Sequence, residues 1–167
     1  MSQLQVRNFL SELAQELATT RRVLERVPDE HLEWKPHEKS MPFGGLAMHC
    51  ANLIRWQIGI VTFDDYDLAA IGRLDPPKSQ EDILFAFDGL RHELIEALET
   101  ADDEVLQREW TLRHGDHVVF RLPKMAALRT FGLNHMIHHR GQLSVYLRLL
   151  DLPVPAIYGP SADEGTL

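Results

Sequence analysis

Apolar residues recur along this chain at spacings of three and four in four separate stretches, the period of a helix with one buried face. The first stretch carries Leu10, Leu13, Leu17, Leu24 and Val27 and stops at Pro28. The second carries Leu46, His49, Leu53, Trp56 and Ile60, with Ser40 placed to cap it and Pro42 tolerable in a first turn. The third follows Asp75-Pro76-Pro77, takes Ser79 as its cap, and repeats apolar residues at Ile83, Phe87, Leu90, Leu94 and Leu98. The fourth begins near Pro123 and ends before Pro153. Its stripe reads Leu128, Phe131, His135, His139, Gln142, Tyr146 and Leu149. Between the third and fourth stretches the texture changes. Trp110, Leu112, Val118 and Phe120 flank Arg113-His114-Gly115-Asp116, which predicts a short β-hairpin turning at the glycine.

Four helices of this length predict an all-α four-helix bundle, with the hairpin packed on it between helices 3 and 4. The connection over residues 64–78 and the hairpin-bearing one are both long for simple helix hairpins, so a plain up-down-up-down order does not follow. No internal repeat or linker divides the chain. Its 167 residues suffice to close one core, so residues 1–167 are expected to form a single domain.

Composition works mainly by exclusion. Lys and Arg number 17 against 25 Asp and Glu, a net charge of -8, which is the wrong balance for displacing phosphate counterions. No nucleic-acid partner is expected. No stretch reaches the ~18–20 apolar residues of a membrane span, and Glu12 and Glu16 interrupt what would be the core of a signal peptide. Cys50 is the only cysteine, so there is no intrachain disulfide and no cysteine-rich zinc site. A cytoplasmic protein without a membrane partner is the expectation.

The chemistry gathers on histidines. His135 and His139 stand four apart on the fourth helix, a spacing that stacks two side chains on one face. His49 lies on the corresponding stripe of the second helix. Three imidazoles from two facing helices can hold one divalent ion and leave a coordination position open, as reactive metal sites do. A histidine pair at this spacing also arises as ordinary hydrogen-bonded residues, and the spacing alone leaves both readings open. Burying three unpaired imidazoles would cost several desolvations, which weighs towards a shared ion. His138 points about 100° away from His139 around the helix. His92, His31, His37, His114 and His117 read as surface groups, although His117 could reach a site mouth.

Several neighbours complete the candidate site. Gly141 inside a helix costs about 1 kcal/mol relative to alanine, so tight packing or a close ligand is expected there. Gln142 needs a polar partner if buried. The segment from Leu122 to Leu150 holds Lys124, Arg129, Arg140 and Arg148 with no Asp or Glu. Ion pairs with the acidic helices are the plain reading of these cations. Arg140, beside His139, is the candidate for a substrate carboxylate, so Arg140 and Gln142 are the expected cofactor- or substrate-binding residues. The lack of a carboxylate base on this segment tips the chemistry from hydrolysis towards thiol transfer. Asp64, Asp65 and Asp67 begin about four turns past His49, roughly 22 Å by helical rise.

Four ordered segments resemble the DinB-like, damage-inducible family, which includes the YfiT-type proteins assigned as metal-dependent hydrolases. They are Trp34-Lys35-Pro36, Leu46-Ala47-Met48-His49, the run from His135 through His138-His139-Arg140-Gly141-Gln142-Leu143, and Val154-Pro155-Ala156-Ile157-Tyr158-Gly159-Pro160. The resemblance implies an up-down-down-up four-helix bundle, commonly a homodimer. It also implies a nickel or zinc ion on one histidine of the second helix and an H-x-x-x-H pair of the fourth, here His49, His135 and His139. Family members of known activity include transferases and isomerases that use low-molecular-weight thiols such as bacillithiol or mycothiol. A thiol-using enzyme is therefore the leading expectation. A hydrolase and a non-catalytic metal-binding stress protein are the alternatives.

Overall fold

The computed structural model describes residues 2–70, 72 and 74–165. In chain order the elements are α1 (Leu4–Leu24), a 3-10 turn (Asp29–His31), α2 (Phe43–Thr62), β1 (Asp65–Asp67), α3 (Gln80–Thr100) and α4 (Asp103–Gln107). Then come β2 (Glu109–His114), β3 (His117–Pro123), α5 (Lys124–Ala127), a π-helical stretch (Leu128–Asn134) and α6 (His135–Leu149). The fold is helical with a mixed sheet inserted.

Contacts between helix ends set the directions. Gln80, at the start of α3, donates through Nε2 to the carbonyls of Glu25 and Val27 just past α1, at 2.9 and 2.8 Å. At the other end Gln3 donates to the Ala101 carbonyl at 3.1 Å, so α1 and α3 are antiparallel. A Cβ on Gly44, near the start of α2, would lie 3.1 Å from Pro77, just before α3. Those two helices therefore start together. Arg129 pairs with Glu12 at 2.8 Å, and Arg22 reaches the Ala156 carbonyl beyond α6 at 2.6 Å. Thus α1 and α6 run one way, α2 and α3 the other. The chain must return from the end of α2 to the start of its parallel neighbour, and this is why that connection is long.

The expected hairpin is real but incomplete. β2 and β3 pair antiparallel, and β1 from the long connection adds to β2 in parallel, with Tyr66 opposite Leu112. The result is a three-stranded mixed sheet, and its β2–β3 hairpin follows the short α4 and not directly the third long helix. β1 is three residues long, too short for its polar–apolar alternation to stand out in the sequence. Long-range polar partners pin it instead. Arg113 takes Asp65 at 2.8 Å and Asp67 at 2.6 Å, and Asp67 accepts the Gly115 N–H at 3.0 Å. Gly115 turns the hairpin with φ +58°, the left-handed region where a side chain would be strained.

The two expected caps fare differently. Ser79 Oγ accepts the Asp82 N–H at 3.1 Å and caps α3 as expected. Ser40 does not cap α2, which begins at Phe43. Its free N–H groups meet backbone carbonyls of the preceding loop, Phe43 to Trp34 at 2.8 Å and Gly44 to Leu32 at 2.9 Å.

The core joins Phe9, Leu13 and Leu17 of α1, Leu46, Leu53 and Ile54 of α2, Phe87 and Leu94 of α3, and Met136, Leu143 and Leu147 of α6. On α6 the buried residues are Met136, Arg140, Leu143, Leu147 and, from the stripe read in the sequence, Tyr146, while Gln142 and Leu149 are exposed. The stripe read from sequence is thus corrected: it follows one edge of the buried face. A π-helical stretch also lies just upstream. Its wider turn, closed by i→i+5 bonds, breaks the phase between Leu128 and α6.

Candidate metal centre

α2 and α6 lie side by side and antiparallel. His49 projects from the first half of α2, while His135 and His139 occupy the first and fifth positions of α6. One ring nitrogen from each lies within 4.8 Å of the others, and all three residues are half-buried. Ring centroids are 4.7 Å apart for His49–His139 and His135–His139, and 5.4 Å for His49–His135. Two nitrogens bound to one zinc at about 2.0–2.1 Å can be no more than about 4.2 Å apart, so small side-chain rotations close this trio onto an ion.

The electrostatics suit the same purpose. Burial pushes the His135 ring below the ordinary imidazole range, and the neighbouring His139 and His138 push it further. Burial also lowers His139, with the Gln142 hydrogen bond acting in the opposite sense and His138 adding to the lowering. Metal ligation needs a neutral imidazole with a free lone pair, and this environment favours that form. The donor set fits a divalent ion.

Around the trio, the residues singled out in the sequence divide sharply. Gln142 is exposed, and its Oε1 lies 2.7 Å from His139 Nδ1. His138 is exposed with its ring centroid 5.1 Å from that of His139, so it borders the site without joining the trio. A Cβ on Gly141 would meet nothing within 4 Å, so helix packing does not demand that glycine. Arg140 turns towards α1, one 100° step from His139. It is buried at 1% exposure and pairs with Glu16 at 2.7 Å. It also donates to Thr20 Oγ1 at 3.3 Å and to the Tyr158 hydroxyl at 2.5 Å, and that hydroxyl in turn donates to Glu16 at 2.9 Å. The carboxylate expected opposite Arg140 is thus supplied by the protein itself.

The remaining cations of this helix are also partnered within the chain: Lys124 with Asp64, Arg129 with Glu12, and Arg148 with Asp163. Asp64, Asp65 and Asp67 are held by Lys124 and Arg113. Burial pushes the Cys50 thiol up to about 12, which makes it a core residue and no nucleophile. One group went unnoticed in the sequence. Asn52, one turn past His49, has a solvent-shielded Oδ1 without a hydrogen-bond partner. Phe131, one turn before His135, stacks on Phe120 with centroids 4.4 Å apart. The Asn52 position on the histidine side of α2 was readable from helical spacing, but its shielding was not.

Comparison with known proteins agrees with this architecture. A solved DinB-like protein from Bacillus cereus ATCC 10987 superposes with a TM-score of 0.70 at 24% identity, covering 90% of this chain and 95% of that one. A DinB-like protein from Bacillus subtilis, YjoA, gives 0.70 at 20% identity with the same coverage. YrdA, an uncharacterised protein of Bacillus subtilis strain 168, is 28% identical over 162 residues, 94% of this chain and 90% of YrdA. The profile of the DinB family matches residues 1–166, and this chain belongs to that family.

Proposed function

We propose that His49, His135 and His139 hold one divalent ion, zinc or nickel, and that the protein is a metal-dependent enzyme using a low-molecular-weight thiol to transfer to, or isomerise, a small-molecule substrate. The observation that carries this reading is the open ligand set: three converging imidazoles, with no fourth His, Cys, Asp or Glu among the described residues. Closed structural zinc sites fill four positions with protein groups. When bound, an ion on three imidazoles supplies Lewis acidity, which makes a thiol or water at its free position a better nucleophile near neutral pH.

The protein's own residues shape that site. The trio sits half-buried, which limits competing water, and burial favours the neutral form of His135 and His139. A hydrolase of the YfiT type would want a carboxylate base nearby. The three aspartates that follow α2 are instead held by Lys124 and Arg113, and this favours a thiol that needs no such base. A cytoplasmic homodimer completes the proposal. Among the described residues no helix is long and apolar enough to cross a membrane.

The test uses cobalt-substituted protein. Adding bacillithiol, mycothiol, glutathione or cysteine should bring sulfur-to-metal charge-transfer absorption with at least one thiol, and His49→Ala should abolish it. Metal-dependent ester or amide hydrolysis without thiol would replace this reading with the hydrolase. Silence in both assays would leave a non-catalytic metal-binding protein.

A further inference from the structure

The exposed carboxamide of Gln142 has no packing duty. It lies one turn beyond His139 on the same face of α6, a spacing at which two side chains meet. Its Oε1 is 2.7 Å from His139 Nδ1, and among the described residues that is the one side-chain hydrogen bond it makes. An amide oxygen can only accept, so the ring nitrogen facing it must carry the proton. The lone pair is then left on Nε2, the atom free to turn towards His49 and His135. The reverse tautomer would set two acceptors against each other at Nδ1 and place a proton where a ligand atom is needed.

We infer that Gln142 is a positioning residue that locks His139 in the Nδ1–H tautomer and so presents Nε2 to the three-histidine cluster. The inference rests on the metal reading for its purpose, though not for its observable. Gln142 touches neither ion nor substrate in this role. It acts through His139, as hydrogen-bonded partners of metal-bound histidines commonly do. It also accounts for a glutamine on the site edge of a helix whose arginines, Arg140 and Arg148, are ion-paired elsewhere.

Nitrogen-15 NMR of the histidine rings in metal-free protein, held alkaline enough that the rings are neutral, reads the tautomer directly. His139 should appear as the Nδ1–H form in the wild-type protein and in Gln142→Glu, which keeps an acceptor. In Gln142→Met, which has similar length and no acceptor oxygen, it should shift towards Nε2–H. Because the side chain is exposed, each variant should fold like the wild type. Zinc affinity, by competition with a chromophoric chelator, should fall about 10–100-fold in Gln142→Met and recover in Gln142→Glu. A wild-type His139 in the Nε2–H form, or a tautomer or zinc affinity untouched by Gln142→Met, would overturn the inference. Failure of the wild-type protein to bind zinc or any other divalent ion would overturn the metal reading instead, and the NMR result would still decide the tautomer.

Discussion

His138 and His139 are neighbours in sequence, yet only one belongs to the cluster. Replacing His135 or His139 with Ala should reduce bound metal from about one ion per chain to a small residue, because one of three protein ligands is lost. His138→Ala should retain it. Full metal content in both of the first two variants, measured by elemental analysis of untagged protein, would remove the site. Arg140 makes a different case. Its charge is buried against Glu16, so Arg140→Met would leave that carboxylate, 15% exposed, with the Tyr158 hydroxyl but without its counter-charge. Breaking such a pair should cost about 3–5 kcal/mol in urea unfolding. Restoring stability with Glu16→Gln in the same chain would confirm the cause. The lowered His135 and His139 rings also imply a pH dependence. The unfolded chain takes up protons there near ~6.5, the ordinary imidazole value, before the folded chain does. The stability of metal-free protein tied to these rings is therefore complete above that pH and lost as pH falls through the lowered folded values. The urea midpoint should drop between pH 7 and 5, and less so in the His135→Ala/His139→Ala double variant.

At the scale of elements, the π-helical stretch decides where α6 points its histidines. Gly132 lies within it because the Gln57 side chain of α2 occupies the space of a side chain: an added Cβ would stand 2.3 Å from Cγ and 2.5 Å from Cδ. Gly132→Ala should cost about 1–3 kcal/mol by overpacking and weaken metal binding by shifting His135. Gln57→Ala added to it should recover part of both losses. If the second substitution brings no recovery, the clash is not what holds this segment. Ser79→Ala should cost about 1 kcal/mol, the value of a side-chain N-cap, with the loss confined to stability because α3 contributes no histidine to the trio. The cap was legible because it is local. The π-helical stretch was not, since Gly132 looks harmless until Gln57 approaches from another helix.

For the molecule as a whole, the testable claim is assembly. A homodimer should give twice the chain mass in light scattering at micromolar concentration, and a monomer mass there would count against it. The broad fold was readable because four stretches with helical periodicity each need a buried face, and few arrangements satisfy four at once. The directions of the long helices came instead from contacts far apart in sequence, such as Gln80 with Glu25 and Gly44 with Pro77.

What the sequence determined by itself was therefore whatever depends on spacing along one element. The i,i+4 relation of His135 to His139, the Ser79 cap and the Gly115 turn are set by local backbone geometry. Only the tertiary structure decided which faces meet. It brought His49 within 4.8 Å of the pair and joined β1 to the hairpin. It gave Arg140 to Glu16 instead of to a substrate, and left Gln142 exposed with His139 as its partner. The physical reason is the same in each case. Periodicity says that a side chain shares a face, but the packing of one helix against another chooses its partner, and here a π-helical turn shifts the phase of the chain just before the site.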